Sequence, residues 1–180
     1  KFLKYALLAS TLIFASCSDD DDNTPDPVNE EEVITTLTVT LESGSDTVVM
    51  QYQDLDGDGP DAATVTVSGS LNANTVYDGS IVLLNETEDP AENVTEEIQE
   101  EDLDHQFFYT VGSGLDVATE YIDFDSAGNP LGLNFVLNTG SASSGGLTFT
   151  LRHEPNKPNT GLENAGGETD IEVTFDITVE

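Results

Sequence analysis

The sequence predicts an all-β protein: a single antiparallel, immunoglobulin-like β-sandwich with about nine strands and one short helix near residues 90–100. Short runs of β-branched and aromatic residues alternate with polar residues along most of the chain. Turn-forming Gly, Asn and Asp residues separate these runs at short intervals. No strand–helix–strand rhythm and no repeat of ~20–50 residues is present, which argues against parallel α/β folds, solenoids and propellers.

The first predicted strand, Val33–Leu41, shows the pattern most clearly. Leu37, Val39 and Leu41 fall on alternate positions with Thr between them, as in a half-buried strand. Eight further segments have comparable character and are predicted to be strands: Thr47–Gln53, Ala63–Ser68, Thr75–Asn85, Gln106–Val111, Val117–Phe124, Leu131–Leu137, Leu147–His153 and Ile171–Val179.

One helix is predicted near residues 90–100. Asp89 is a suitable N-cap, and Pro90 suits the first helical position. The acidic run from Glu100 to Asp104 crowds its C-terminal end, where the helix dipole is already negative. We therefore expect either that the helix ends near Gln99 or that a positive group lies beside it.

The charge of the chain limits its partners. The sequence has 36 acidic and four basic residues, a formal net charge of −32. Nucleic acid is excluded as a partner, because its capture needs many Lys and Arg residues. A charge of this size also strains a compact state unless cations offset it.

The N-terminal residues predict export and a lipid anchor. Residues 1–16 carry lysines at positions 1 and 4, continue with an apolar run and end in small residues, which is typical of a secretory signal peptide. Cys17 is the only cysteine, and the residues before it resemble the lipobox of bacterial lipoproteins, whose cysteine is acylated. Residues 17–32 are acidic and predict a disordered tether, which leaves residues 33–180 as the sandwich domain.

An aspartate-rich loop is a candidate calcium site. Asp54, Asp56, Asp58 and Asp61 surround two glycines, and several carboxylates in a tight loop suit Ca²⁺. The loop resembles the first half of an EF-hand, but the glutamate expected at its twelfth position is replaced by Val65. A plain solvated turn is the alternative, because Asp-Gly pairs are also common in hairpins.

The two histidines are candidate ligands for a transition metal. His105 and His153 lie at predicted strand ends, each beside acidic residues. Imidazole with carboxylate favours Zn²⁺ or Cu²⁺ over Ca²⁺. We expect these histidines to be ligands, supported by Glu101, Asp104 and Glu154. The alternative is that each histidine only forms a hydrogen bond at a strand end.

The sequence predicts a protein that is not an enzyme. It contains no G-x-S-x-G nucleophile motif, H-E-x-x-H motif or C-x-x-C motif. Carboxylate pairs are uninformative in a chain so rich in acids. No catalytic residue is therefore assigned.

Several segments together resemble a group of small surface lipoproteins of flavobacteria, within the Bacteroidota. They are SCSDDDD, EEVITTLTVTL, QDLDGDG, LNETEDPAENVTEEIQEEDLDHQFFY, LRHEPNKPN and GGETDIEVTFDITVE. The acidic run after Cys17 resembles the signal that sends such lipoproteins to the outer face of the outer membrane. Members are often labelled as a type 1 periplasmic binding fold, a two-lobed α/β protein, whereas this chain is short and rich in strands. The resemblance implies an association with TonB-dependent receptors and capture of a scarce metal.

Two further short motifs resemble the O-glycosylation motif of Bacteroidota, an aspartate followed by Ser or Thr and a small or aliphatic residue. They place candidate glycosylation at Thr47 and Ser126.

We therefore expect a lipid-anchored protein on the cell-surface side of the outer membrane that binds a divalent metal beside a TonB-dependent receptor. Two alternatives remain: a structural or adhesive module stabilised by Ca²⁺, and a subunit of a larger surface complex. Exposed strand edges or the loop Pro155–Gly167 would provide the contacts in such a complex.

Overall fold

The computed structural model describes residues 32–57 and 59–180. This part of the chain forms antiparallel β-sheets with two short helices, which confirms the predicted all-β sandwich. The strands are β1 Thr36–Ser43, β2 Asp46–Gln53, β3 Thr64–Val67, β4 Val76–Leu84, β5 His105–Val111, β6 Val117–Tyr121, β7 Asn134–Thr139, β8 Ser143–His153 and β9 Glu168–Val179; the helices are α1 Val94–Glu100 and α2 Leu162–Ala165.

The strands form two sheets of unequal size. The larger has six strands in the order β3-β2-β1-β4-β7-β6, and the smaller has three in the order β5-β8-β9. Neighbouring strands in both sheets run antiparallel. Strands β8 and β9 are the longest, with 11 and 12 residues, so the small sheet has a long central pairing.

The core lies between the sheets, and aromatic rings fill its centre. Phe149 and Phe175 come from the small sheet and Phe135 from the large one, and all three are fully buried. The Phe149 ring centroid lies 5.7 Å from that of Phe135 and 5.9 Å from that of Phe175. These are distances at which aromatic pairs attract beyond simple burial, so the rings join the two sheets into one core.

The predicted strands are found with small shifts at their ends. Strand β1 begins at Thr36 rather than at Val33, which is 56% exposed. Strand β7 begins at Asn134 rather than at Leu131. The Leu131 carbonyl instead accepts a hydrogen bond from the Phe107 N–H at 2.8 Å, so this segment binds to the edge of β5 before β7 begins.

The predicted helix start is wrong. Asn93, not Asp89, is the N-cap of α1. Residues before it are held in extended pairing, because Asn85 and Glu92 exchange two backbone hydrogen bonds of 3.1 and 2.9 Å at the end of β4. The helix ends at Glu100, close to the predicted end. The second helix, α2, was not predicted.

The predictions for the N-terminus lie outside the described residues. These are the signal peptide at 1–16, acylation of Cys17 and nearly all of the tether at 17–32. Across residues 32–57 and 59–180, no helix has the length and apolar character needed to cross a membrane.

Candidate metal centre

His105 and His153 meet at one end of the small sheet. They are direct partners in the register of β5 and β8, and their ring centroids lie 4.6 Å apart. His153 lies in phase with the buried residues Phe149 and Leu151, so strand alternation turns its ring inward. The structure therefore brings the two predicted histidines together inside the sandwich.

Asp170 is the third member of this cluster, and a β-bulge places it there. In the pairing of β8 with β9, Leu151 lies opposite Ile171, but the next residue, Arg152, lies opposite Thr169. Asp170 is thus the extra residue of the bulge. Strict alternation would put it on the solvent face with Glu172, yet its side chain is 0% exposed. A bulge re-aims a side chain in just this way.

The three side chains present their ligand atoms to one another. Asp170 Oδ2 lies 4.0 Å from His105 Nε2, and Asp170 Oδ1 lies 3.7 Å from His153 Nδ1. One ligand atom from each residue falls within 4.8 Å of the others. Two ligand atoms that each lie ~2 Å from a tetrahedral ion are ~3.3 Å apart. Small side-chain rotations would therefore bring these three ligand atoms to the spacing that one ion requires. We call His105, His153 and Asp170 the inner site.

A hydrogen bond orients the His105 ring. His105 Nδ1 lies 3.2 Å from the Glu101 carbonyl oxygen, which can only accept a hydrogen bond. The proton therefore belongs on Nδ1, and Nε2 keeps its lone pair. Among the described residues, His105 Nε2 and His153 Nδ1 have no hydrogen-bond partner although both are buried. A histidine that donates from one nitrogen to a carbonyl and ligates through the other is typical of metal sites.

The environment of His105 favours the neutral imidazole. Burial lowers the pKa of His105, and repulsion from His153 lowers it further, against the opposing effect of the Glu101 carbonyl. Metal ions bind the neutral ring, because protonation occupies the ligand lone pair. His105 therefore favours the protonation state that a transition metal requires.

No protein-family model, curated protein or solved structure matches this chain.

Carboxylates lie beside the inner site on its more exposed side. Glu32 and Glu101 each place an oxygen within 4.8 Å of a His105 nitrogen and of each other. We call Glu32, Glu101 and His105 the outer site. Glu97 is a further carboxylate beside Glu32. Burial, followed by hydrogen bonds with Glu32 and Glu92, raises the pKa of Glu97 to about 7. Such crowding of acids favours protons or cations.

Lys157 is the positive group expected at the acidic end of the helix. Its Nζ donates to the carbonyl oxygens of Asp102 and His105 at 2.7 and 2.6 Å, and to Asp125 Oδ2 at 3.0 Å. The Lys157 side chain is only 6% exposed. It fixes the backbone of His105, so it supports the site without facing it. The sequence provided no signal for this contact, which joins segments about fifty residues apart.

Two predicted supporting ligands belong to neither site. Asp104 and Glu154 are both exposed, and among the described residues they are absent from the groups that could hold a metal. Their main chains meet instead: the Glu154 N–H donates to the Asp104 carbonyl oxygen at 2.6 Å. This bond ties the two histidine-bearing strand ends together while the carboxylates remain in solvent.

In the described part of the predicted calcium loop, Asp54, Asp56 and Asp61 line one pocket but do not all come within metal-ligand spacing of one another. Asp56 Oδ2 accepts a hydrogen bond from the Asp61 N–H at 3.1 Å, and Asp54 Oδ2 accepts one from the Tyr52 hydroxyl at 3.3 Å. Asp58 lies outside the described residues. The described aspartates of this loop form no group of three with metal-ligand spacing. Asp54 and Asp56 instead accept the two hydrogen bonds from nearby residues of the chain.

Both candidate glycosylation residues are exposed, Thr47 on β2 and Ser126 in a turn. The aspartates before them have structural contacts. Asp46 accepts hydrogen bonds from the Tyr77 hydroxyl at 2.5 Å and from Asn72 Nδ2 at 2.8 Å. Asp125 binds Lys157. The fold therefore accounts for both aspartates without a sugar, and glycosylation stays a prediction.

Proposed function

We propose that this protein binds one divalent transition-metal ion, Zn²⁺ or Cu²⁺, through His105, His153 and Asp170. One observation carries the proposal: three potential ligands from β5, β8 and β9 converge with side chains that are 0%, 6% and 0% exposed. Each buried histidine nitrogen without a hydrogen-bond partner, His105 Nε2 and His153 Nδ1, costs ~1–3 kcal/mol, and a bound ion would offset that cost.

The ligand types support this class of metal. Two imidazoles and one carboxylate suit Zn²⁺ or Cu²⁺, whereas Ca²⁺ takes six to eight oxygen ligands. The surrounding excess of acidic residues attracts cations of any kind. Selectivity for a transition metal must therefore come from the two histidines.

The cellular setting in this proposal comes from the sequence. Acylation at Cys17 would anchor the domain to the outer membrane, and the acidic residues after it would direct the protein to the cell surface. The resemblance to flavobacterial surface lipoproteins supports a role beside a TonB-dependent receptor. In that setting the domain would concentrate a scarce metal near the receptor.

Calorimetric titration with Zn²⁺ and Cu²⁺, together with metal analysis of the purified protein, tests the proposal. Wild type should bind one ion per chain tightly, and the double variant His105→Ala, His153→Ala should lose that binding. Equal binding by both proteins would contradict the inner site as the place of binding. It would favour a structural or adhesive module whose acidic residues bind cations weakly. Circular dichroism of the double variant checks that the sandwich still forms.

A further inference from the structure

His105 belongs to both the inner and the outer site, and the two differ in exposure. Glu101 is exposed, Glu32 is half-buried, and His105 has a side chain that is 0% exposed. The ligand atoms of these three residues lie within 4.8 Å of one another, as do those of the inner site. The potential ligands of the two sites therefore range from an exposed carboxylate to fully buried side chains, and His105 is common to both sites.

We propose that Glu32 and Glu101 form a capture site through which the metal ion reaches the inner site. The ion first binds the two carboxylates beside His105, then moves to His105, His153 and Asp170. This inference rests on the proposed function and concerns the rate of loading. It assigns Glu32 a role that neither a motif nor its position in the sequence suggests.

The outer site differs from an ordinary solvated group of acids because a buried histidine faces it. One nitrogen of His105 lies within 4.8 Å of a carboxylate oxygen of Glu32 and of Glu101, and the His105 side chain is fully buried. Glu101 is also tied to this ring, since its carbonyl oxygen accepts the bond from His105 Nδ1. The Glu101 backbone and the imidazole are thus held in a fixed relation.

The fold brings these carboxylates together from distant parts of the chain. Glu32 precedes β1, whereas Glu101 is the C-cap of α1. Carboxylates are hard ligands, while imidazole is better matched to Zn²⁺ and Cu²⁺. An ion held first by carboxylate oxygens is therefore bound more tightly once it has moved to the two histidines. Negative charge at the mouth of a site also raises the local cation concentration and the association rate.

Stopped-flow mixing of the full chain with Co²⁺, a spectroscopic substitute for Zn²⁺, tests this inference. The variant Glu32→Gln, Glu101→Gln removes the outer carboxylates. The matched control, Glu42→Gln, Glu100→Gln, removes the same charge from two exposed residues that belong to neither site. Association is followed by the visible absorption of bound Co²⁺, which reports the inner ligands.

The outer variant should associate about tenfold more slowly than wild type, because it loses local attraction as well as overall charge. The control should slow by less than about twofold, and the final Co²⁺ spectrum should be the same in all three proteins. Equal rates for the outer variant and the control would overturn the capture site. A changed final spectrum would overturn it too, since the carboxylates would then be permanent ligands. Failure of wild type to bind Co²⁺ at all would overturn the proposed function as well.

Discussion

Asp170 lies within 4.0 Å of His105 although a whole strand, β8, separates the strands that carry them. The bulge in β9 makes this approach possible, because it turns the Asp170 side chain to the face that both histidines occupy. Without the extra residue, alternation would place this carboxylate in solvent beside those of Glu172 and Asp176. The inner site thus depends on a local irregularity in an otherwise regular strand.

Asp170→Asn should weaken Zn²⁺ binding at least tenfold, because an amide oxygen replaces a charged ligand. The control Asp176→Asn changes the same residue type at an exposed position of the same strand and should bind as wild type does. Competition with a chromogenic chelator measures both constants. Equal affinities for the two variants would contradict the assignment of Asp170 as a ligand.

Zn²⁺ should stabilise the folded protein. A ligand that binds only the native state adds about 2.7 kcal/mol at a free concentration of 100 times its Kd. Thermal unfolding with Zn²⁺ and after addition of EDTA measures this effect. The double variant of His105 and His153 should show no rise in Tm, and a rise as large as in wild type would place the binding elsewhere.

Lys157→Met should destabilise the protein by about 3 kcal/mol, because it leaves a buried carboxylate without its charge partner. Burial of Asp125 raises its pKa, but hydrogen bonds from Asn129 and Lys157 outweigh burial and lower the net pKa below 3.8. The stability from this lowered pKa is present above pH 3.8 and is lost as the pH falls through the folded-state pKa.

Urea unfolding at pH 7 and pH 3 measures the effect of Lys157→Met, which should shrink at the lower pH. Arg152→Met removes one positive charge from an exposed contact with Thr169 and should cost under about 1 kcal/mol. A loss as large for Arg152→Met as for Lys157→Met would show that overall charge, not the buried contact, is responsible.

Glu97→Gln should change how stability depends on pH in protein kept free of metal with EDTA. The pKa of Glu97 is raised from 4.5 to about 7, first by burial and then by its carboxylate neighbours. Its contribution to stability is therefore fully present below pH 4.5 and is lost as the pH rises through about 7. Wild type should lose stability relative to Glu97→Gln across this window.

Urea unfolding at pH 4.5, 6 and 8 gives the comparison for Glu97→Gln. The neighbouring exposed residue provides a control, Glu96→Gln, whose difference from wild type should change little with pH. A constant difference between wild type and Glu97→Gln at all three values would count against the raised pKa.

Phe149→Ala should destabilise the sandwich by about 4 kcal/mol, because it opens a cavity among rings that join the two sheets. Phe149 is fully buried, and its ring centroid lies 5.6 Å from that of Tyr109. Phe124→Ala is the matched control: Phe124 is 57% exposed and should cost under about 1 kcal/mol. Chemical unfolding of both variants checks the contrast, and similar losses would contradict this account of the core.

Much of the fold was predictable because alternation is a local property. The patterns in Val33–Leu41 and Ile171–Val179 correctly predicted strands, which the structure shows as β1 and β9. The start of the helix was not predictable from capping residues alone. Pairing of Glu92 with Asn85 overrides the capping preference of Asp89, and that pairing forms only after β4 is in place.

By itself the sequence determined the strands, the excess of acidic charge and the two histidines, because composition and period-two patterning need no long-range contact. Only the tertiary structure decided that His105 lies opposite His153, that Asp170 turns inward and that Glu32 reaches Glu101. Sheet register, a bulge and the packing of distant segments set these positions. They follow from the free energy of the whole core, so no local stretch of sequence encodes them.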